Sequence, residues 1–455
     1  MDYVLGIDFG TTSVKIVVLD QITSQQLYSS NVKTDADLES EIGEAGYEQN
    51  VEKIYEALEK LVLQIPDELQ NNIKTIGVTG QMHGLVMWKT PPHSDLDLMK
   101  CESSNLYTWQ DQRAIPEFLS SLPVPDSHIP LATGFGCVTY FWLLQHQPHR
   151  IKHFDWLGTI MDHFVFILCR LEHPATTSQL AASLGFFNTL SNTWNIEILK
   201  TNGFPVDRLP RIVKAGTIVG QLVDDWHGIK KGVSVLAGLG DVQCSFLSSL
   251  SCQNSALLNL GTSLQLGCII EPDNFAQSDS TCIQYFPYFN GNYLALAASL
   301  NGGNVINQFV QMLVKWMKQF NVGVSENDVW EKLLKEGENV TLDEHLEVKP
   351  TLFGERHAPS EFGTILGLTP KNFNLPQLFN SICFGLIKNA QAMMPVEFLK
   401  SHNIEKIMGS GSVLSRNPLI RNHIKDLFKD FTFVDGLDCD SATGAALCVI
   451  KYCQN

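Results

Sequence analysis

Leu5-Gly6-Ile7-Asp8-Phe9-Gly10-Thr11-Thr12-Ser13-Val14-Lys15 reads as an apolar strand, a glycine-and-hydroxyl turn, and a returning strand. Apolar Tyr3–Ile7 and Val14–Leu19 flank turn-rich Asp8–Ser13, which predicts a β-hairpin. The pattern returns in the other half of the chain. Leu257-Leu258-Asn259-Leu260-Gly261-Thr262-Ser263 is again an apolar strand, then Asn in place of Asp, one apolar residue, Gly-Thr-Ser and a return strand at Leu264–Ile270. An internal repeat of this kind suggests two related domains. Two unrelated hairpins with similar tips would read the same way.

The chemistry of the first turn points to anions. Glycine lets backbone approach a ligand without a Cβ clash, and successive N–H groups in such a turn form an anion-binding nest. Thr11, Thr12 and Ser13 add hydroxyl donors, and Lys15 adds a positive charge. Asp8 cannot favour a phosphate by itself; it makes sense if Mg²⁺ lies between them. In the second turn Asn259 replaces that Asp, so the metal is expected nearer the first turn.

Outside the two hairpins the chain alternates strand and helix patterns, the mark of the α/β class. Val51, Ile54, Leu58, Leu61, Val62 and Ile65 fall on one helical face, and Val305 to Phe320 makes a second amphipathic helix. Further helices are expected over 375–399, 419–428 and 441–453, and strands at Thr75–Thr79 and Val233–Ala237. Lys89–Asn105 reads as a surface loop, and 321–346 as charged and less regular.

The second strand runs into Gly238-Leu239-Gly240-Asp241. A carboxylate framed by glycines at a strand end can reach a ligand, and phosphoryl transfer to an alcohol needs a group to accept the hydroxyl proton. Asp241 before Val242-Gln243-Cys244 also suits a helix N-cap, the commoner role on spacing alone, and the two roles can coexist. Gly80-Gln81-Met82-His83-Gly84 and Trp109-Gln110-Asp111-Gln112-Arg113 offer polar groups beside aromatic or apolar ones, as a polyhydroxylated ligand would want, though both also suit ordinary turns. Gly409-Ser410-Gly411-Ser412 is a glycine-rich strand-to-helix turn suited to a nucleotide.

The 455 residues exceed one ordinary core and predict at least two domains. A formal net charge of −16 makes nucleic acid and anionic membranes poor partners. Eleven scattered cysteines without a metal-ligand spacing, and no visible leader, predict free thiols in the cytosol.

Together these motifs, in this order, resemble the FGGY family of carbohydrate kinases. Gly6 to Lys15 resembles its first phosphate motif, Leu260–Ser263 the second, and Gly240-Asp241 the position of its catalytic aspartate. Gly409–Ser412 with Asn417 resembles the adenosine motif, and Ser441–Ala446 the small-residue helix beside the nucleotide. Within the family the likeness is to the branch acting on sedoheptulose. It is carried by stretches such as Ala181–Thr189, Ala298–Asn304 and Phe353-Gly354-Glu355-Arg356-His357.

The resemblance implies two actin-like (ribonuclease H-like) α/β domains facing a deep cleft, divided as 1–236 and 237–455. It implies ATP with Mg²⁺, phosphorylation of the ketose at its terminal hydroxyl, and Asp241 as base. Asp8 and Asp241 would serve the metal. Gln81, Met82, His83 and Asp111 would contact the sugar. Gly10, Thr11, Thr12, Ser13, Lys15, Gly261, Thr262, Ser263, Gly409, Ser410, Gly411, Ser412 and Asn417 would hold the nucleotide, with Asn304 or Asn307 near the ribose. Another ketose such as D-xylulose, or a nucleotide-binding scaffold without sugar transfer, are the alternatives.

Overall fold

The computed structural model describes residues 2–90, 101–250, 254–275, 282–355, 358, 360–436 and 440–453. Part of the expected 89–105 loop, and Arg356 and His357, lie outside them. The chain forms two compact units. The first holds 1–248, 286–291 and 440–455; the second holds 249–285 and 292–439.

In the first unit, β1 (Tyr3–Phe9), β2 (Ser13–Asp20) and β3 (Gln26–Lys33) form an antiparallel meander. On its other side β1 pairs in parallel with β4 (Ile73–Gly80), and β4 with β6 (Ser234–Leu236), which is edged by antiparallel β5 (Ile218–Gln221). A short strand, β7 (Leu239–Gly240), also joins β4. Strand alternation divides β1 cleanly. Leu5, Ile7 and Phe9 enter a core with α1 (Val51–Val62) and α2 (Ile160–Leu168). Gly6 and Asp8 face the other way.

In the second unit, β8 (Ser255–Leu260), β9 (Leu264–Ile270) and β11 (Tyr293–Ser299) are antiparallel neighbours, edged by β10 (Gln284–Pro287). β8 pairs in parallel with β12 (Lys406–Ser410), and β12 with β13 (Thr432–Asp435). The order β11-β9-β8-β12-β13 thus repeats β3-β2-β1-β4-β6, with the same strand senses. The echo between the two hairpins is therefore a whole-topology repeat. Helices α4 (Gly303–Gln319), α6 (Leu375–Met393) and α7 (Pro418–Leu427) supply this unit's core.

Three expectations shift. The helix sought over 375–399 stops at Met393, because Pro395 cannot continue it, and resumes at Val396–Ser401. The "irregular" 321–346 stretch contains α5 (Glu326–Gly337), started by a capping box in which Ser325 and Asp328 bond reciprocally. The domain division at 236/237 is also displaced. A helix, α3 (Asp241–Ser249), leads on from β7 and stays with the first unit up to Ser248, and α8 (Ser441–Tyr452) returns to it. The reason is close packing on glycine. A Cβ on Gly6 would lie 2.0 Å from the Ala442 carbonyl oxygen, and one on Gly77 2.4 Å from that of Ala445. Only bare backbone lets α8 lie that near β1 and β4. No helix among the described residues is long and apolar enough to cross a membrane.

Candidate active site

Asp8 is the last residue of the Gly6 face before the turn, so it emerges beside the start of α8. It is half-buried. Its Oδ1 is enclosed and has no hydrogen-bond partner among the described residues. Burial, then the negative charges of Asp241 and Asp440, push its pKa up to about 8, with Lys15 pulling the other way. Asp440 caps α8 by accepting from the Ala442 N–H at 3.1 Å, and its Oδ2 lies 3.0 Å from Lys15 Nζ. Asp440 was not among the expected site residues. Its only sequence signal is an N-cap position ahead of the small-residue helix.

Asp241 opens α3 at the end of β7. Thr79 Oγ1 donates to the Leu239 carbonyl (3.0 Å), Thr177 Oγ1 to the Gly238 carbonyl (2.8 Å), and the Gly240 N–H to Gln179 Oε1 (3.1 Å). These bonds fix the strand end from which the carboxylate projects. Asp241 Oδ1 accepts the Val242 N–H at 2.8 Å, a bond to the adjacent residue and not the N2 or N3 bond of an N-cap. The residue nevertheless stays partly exposed. Burial lifts its pKa to about 6, against the opposing pull of the Val242 and Asp241 backbone N–H groups.

Among the described residues no three or more His, Cys, Asp or Glu side chains form a ready metal cage. Mg²⁺ is commonly held by one or two carboxylates with the rest of its shell from water and phosphate. An orphaned Asp8 oxygen that feels the negative charges of Asp241 and Asp440 fits such an ion, held by one or two carboxylates rather than a cage.

The first turn is tethered from behind. The Thr11 carbonyl accepts from Gln49 Nε2 (2.7 Å), Thr11 Oγ1 from Trp109 Nε1 (3.0 Å), and the Thr12 carbonyl from the Thr34 N–H (3.1 Å). Thr12 is exposed, while Gly10, Thr11, Ser13 and Lys15 are half-buried. A Cβ at Gly10 would approach the Ser13 carbonyl oxygen to 2.9 Å.

The expected sugar residues separate. Gln81 is buried, donates to Gln49 Oε1 at 3.0 Å, and has an unpaired Oε1. Met82 is buried, with Sδ 2.8 Å from where a Gly240 Cβ would stand, so Met82 does reach the Asp241 strand end. His83, at φ +72°, stacks on Phe135 with ring centroids 4.6 Å apart and pairs Nδ1 with the Ser183 carbonyl at 2.9 Å. Asp111 goes elsewhere. It is fully buried, and its carboxylate accepts Arg113 Nε (2.7 Å), Arg113 Nη2 (2.8 Å), the Arg113 N–H (3.1 Å) and the Tyr47 N–H (3.1 Å). Arg113 also bonds Glu48 at 3.0 Å. Asp111 is thus consumed by a structural ion pair and has no oxygen left over for a ketose. A cavity of about 600 Å³ lies nearby, lined by Asp37, Tyr47, Glu48, Gln49, Thr108 and Gln112 among others.

In the second unit, the turn Gly261–Ser263 has Thr262 exposed. The Gly303 N–H bonds the Gly261 carbonyl (2.9 Å) and the Asn304 N–H bonds the Thr262 carbonyl (3.0 Å). In parallel register Asn259 stands opposite Ser410, as Asp8 stands opposite Thr79. Gly409 and Ser410 end β12. Gly411 turns the chain at φ +104°, where a Cβ would strike the Leu260 carbonyl oxygen at 2.3 Å, and Ser412 follows exposed. Two of the expected nucleotide residues also make local bonds. Asn304 Oδ1 accepts the Gly302 and Val305 N–H groups and Nδ2 donates to the Leu300 carbonyl, which locks its own loop. Asn417 is buried and caps α7 by accepting the Ile420 N–H. Asn307, one turn further along α4, is half-buried.

Residues 3–248 match the model of the FGGY family of carbohydrate kinases, N-terminal domain. Human sedoheptulokinase is 40% identical over 466 residues, spanning 98% of this chain and 97% of its own length. Mouse sedoheptulokinase is 38% identical over 464 residues, again 98% and 97%. The crystal structure of xylulose kinase from Rhodospirillum rubrum shares the fold at a TM-score of 0.82 and 16% identity, covering 98% of this chain and 89% of that one. Paired α/β units of one topology and near-full-length identity to carbohydrate kinases agree: the chain belongs to the FGGY family of carbohydrate kinases.

Proposed function

We propose that this kinase transfers the γ-phosphoryl group of ATP to the terminal hydroxyl of sedoheptulose, releasing sedoheptulose 7-phosphate and ADP. The observation that supports it most is Asp241, a partly exposed carboxylate on a pinned strand end, with a pKa near 6. At neutral pH such a group is mostly ionised and basic enough to take a hydroxyl proton. The freed sugar oxygen attacks the γ-phosphorus, the bond to the β-phosphate oxygen breaks, and ADP leaves with that electron pair. A positioned base contributes about 10²–10⁴-fold.

Gly10, Thr11, Thr12 and Ser13 are assigned to phosphate in the first unit, with Lys15 adding charge. Gly261–Ser263 and Gly409–Ser412 are assigned to the nucleotide in the second, with Asn307 toward the ribose. Gln81, Met82 and His83 are assigned to the ketose. Asp8 and Asp241 would hold Mg²⁺, which neutralises phosphate charge when bound. The seven-carbon choice follows the likeness to the human and mouse enzymes. Nine described cysteines, all free thiols, fit a cytosolic setting, where the product would enter the non-oxidative pentose phosphate pathway.

The test is ADP release from Mg·ATP with sedoheptulose, with D-xylulose and with no sugar, the product being identified by mass spectrometry. Sedoheptulose-dependent turnover giving a heptulose phosphate is expected. Turnover with D-xylulose alone, or independent of sugar, would replace the proposal.

A further inference from the structure

Glu355 lies in the Phe353-Gly354-Glu355 stretch, which none of the roles above uses. It is buried at 3% exposure. Its carboxylate is met by neutral donors from two different segments. Ser299 Oγ, Asn301 Nδ2 (3.1 Å) and Asn389 Nδ2 (2.8 Å) donate to Oε1, and the Leu300 N–H donates to Oε2 (3.2 Å). Asn301 strengthens the clasp by donating to the Gly354 carbonyl (2.8 Å) and accepting the Phe353 N–H (3.1 Å).

Three of those donors sit on residues 299–301, directly before the loop that braces the second turn. Gly302 and Gly303 press onto that turn so closely that a Cβ on either would fall 2.6 Å from the Ser263 carbonyl carbon or 2.5 Å from the Gly261 carbonyl oxygen. The Gly303 and Asn304 N–H groups bond the Gly261 and Thr262 carbonyls. Charge-assisted hydrogen bonds are short and strong, and a buried carboxylate that accepts from several donors holds its partners rigidly. The route from Glu355 to the turn is therefore continuous: carboxylate, residues 299–301, Gly302–Asn304, then the carbonyls of Gly261 and Thr262.

We propose that Glu355 is a positioning residue for nucleotide binding, which sets the shape of the Gly261–Ser263 turn without touching the nucleotide. This rests on the reading above that the turn contacts ATP. The test is Glu355→Gln, which keeps volume but places an N–H₂ against N–H donors. The expected result is a KM for ATP and a Kd for ADP raised roughly tenfold, with the ketose KM within about twofold of the parent. A merely structural role would lower Tm and leave the ATP and ketose constants unchanged or moved together; that result overturns the proposal. If E355Q does not fold, Asn389→Ala removes one donor and carries the same readouts in milder form. Thr262→Val separates the two ideas. An ADP affinity unchanged in T262V refutes the turn's role in nucleotide binding, whereas weakened ADP binding in T262V beside unchanged binding in E355Q refutes the Glu355 role alone.

Discussion

Lys15 Nζ lies 3.0 Å from Asp440 Oδ2, which ties the strand after the first turn to the cap of the last described helix. Lys15 is also the cation that lowers the pKa of Asp8, against burial and two carboxylates. Lys15→Ala should therefore raise the Asp8 pKa further and leave less carboxylate for the metal. The Mg²⁺ concentration giving half-maximal activity is expected to rise about 3–10-fold at pH 7, and to recover as pH increases. A Mg²⁺ titration at pH 6.5, 7.5 and 8.5 checks this; an unchanged midpoint counts against the Asp8 metal assignment.

Asp241→Asn keeps shape and removes basicity. It should lower kcat by about 10²-fold or more while the Kd for ADP changes little. Steady-state kinetics with calorimetric ADP binding decides it, and a kcat like the parent's would remove Asp241 from the role of base.

Asp8 costs stability in the ligand-free protein. Its folded pKa of about 8 stands above the ordinary 3.8, so the folded state binds more protons between those values. Stability from this group is fully present below about pH 4 and is lost as pH rises through 8. Asp8→Asn should therefore melt a few degrees above the parent at pH 8.5 without metal or nucleotide, and the difference should shrink at pH 5. Thermal melts at the two pH values test it; a gap that is constant with pH would contradict it.

Gly444 holds α8 against α3. A Cβ there would lie 1.9 Å from the Cys244 carbonyl oxygen, on the helix that Asp241 begins. Gly444→Ala should cost about 1–3 kcal/mol or more and also reduce kcat, whereas Gly323→Ala, with nothing within 4 Å, should be near neutral. Urea unfolding and kinetics of both variants form the comparison.

Asp111→Asn should act on stability, not on sugar affinity. Breaking a buried ion pair from one side costs on the order of 3–5 kcal/mol, and Arg113 would keep only Glu48 as a carboxylate partner at full charge. A sharply lowered Tm with an unchanged ketose KM is expected. A normal Tm with a raised ketose KM would restore Asp111 to the sugar site.

Local pattern was enough for much of this molecule. Period-two and helical spacing located both hairpins, α1, α4 and α7, and the Asp/Asn-x-Gly-Thr echo located the two halves, because strand alternation and helix faces are written in neighbouring residues. What the sequence could not decide was which distant groups share those surroundings. Asp440 comes within electrostatic range of Asp8 as Gly6, Gly77 and Gly444 let α8 pack on bare backbone. Asp111 looks like a ligand contact in the chain and is bound up with Arg113, while Asn304 and Asn417 brace a loop and cap a helix. A polar side chain carries no mark of its partner, since hydrogen bonds and charge coupling are settled by through-space distance, and only the tertiary structure fixes that.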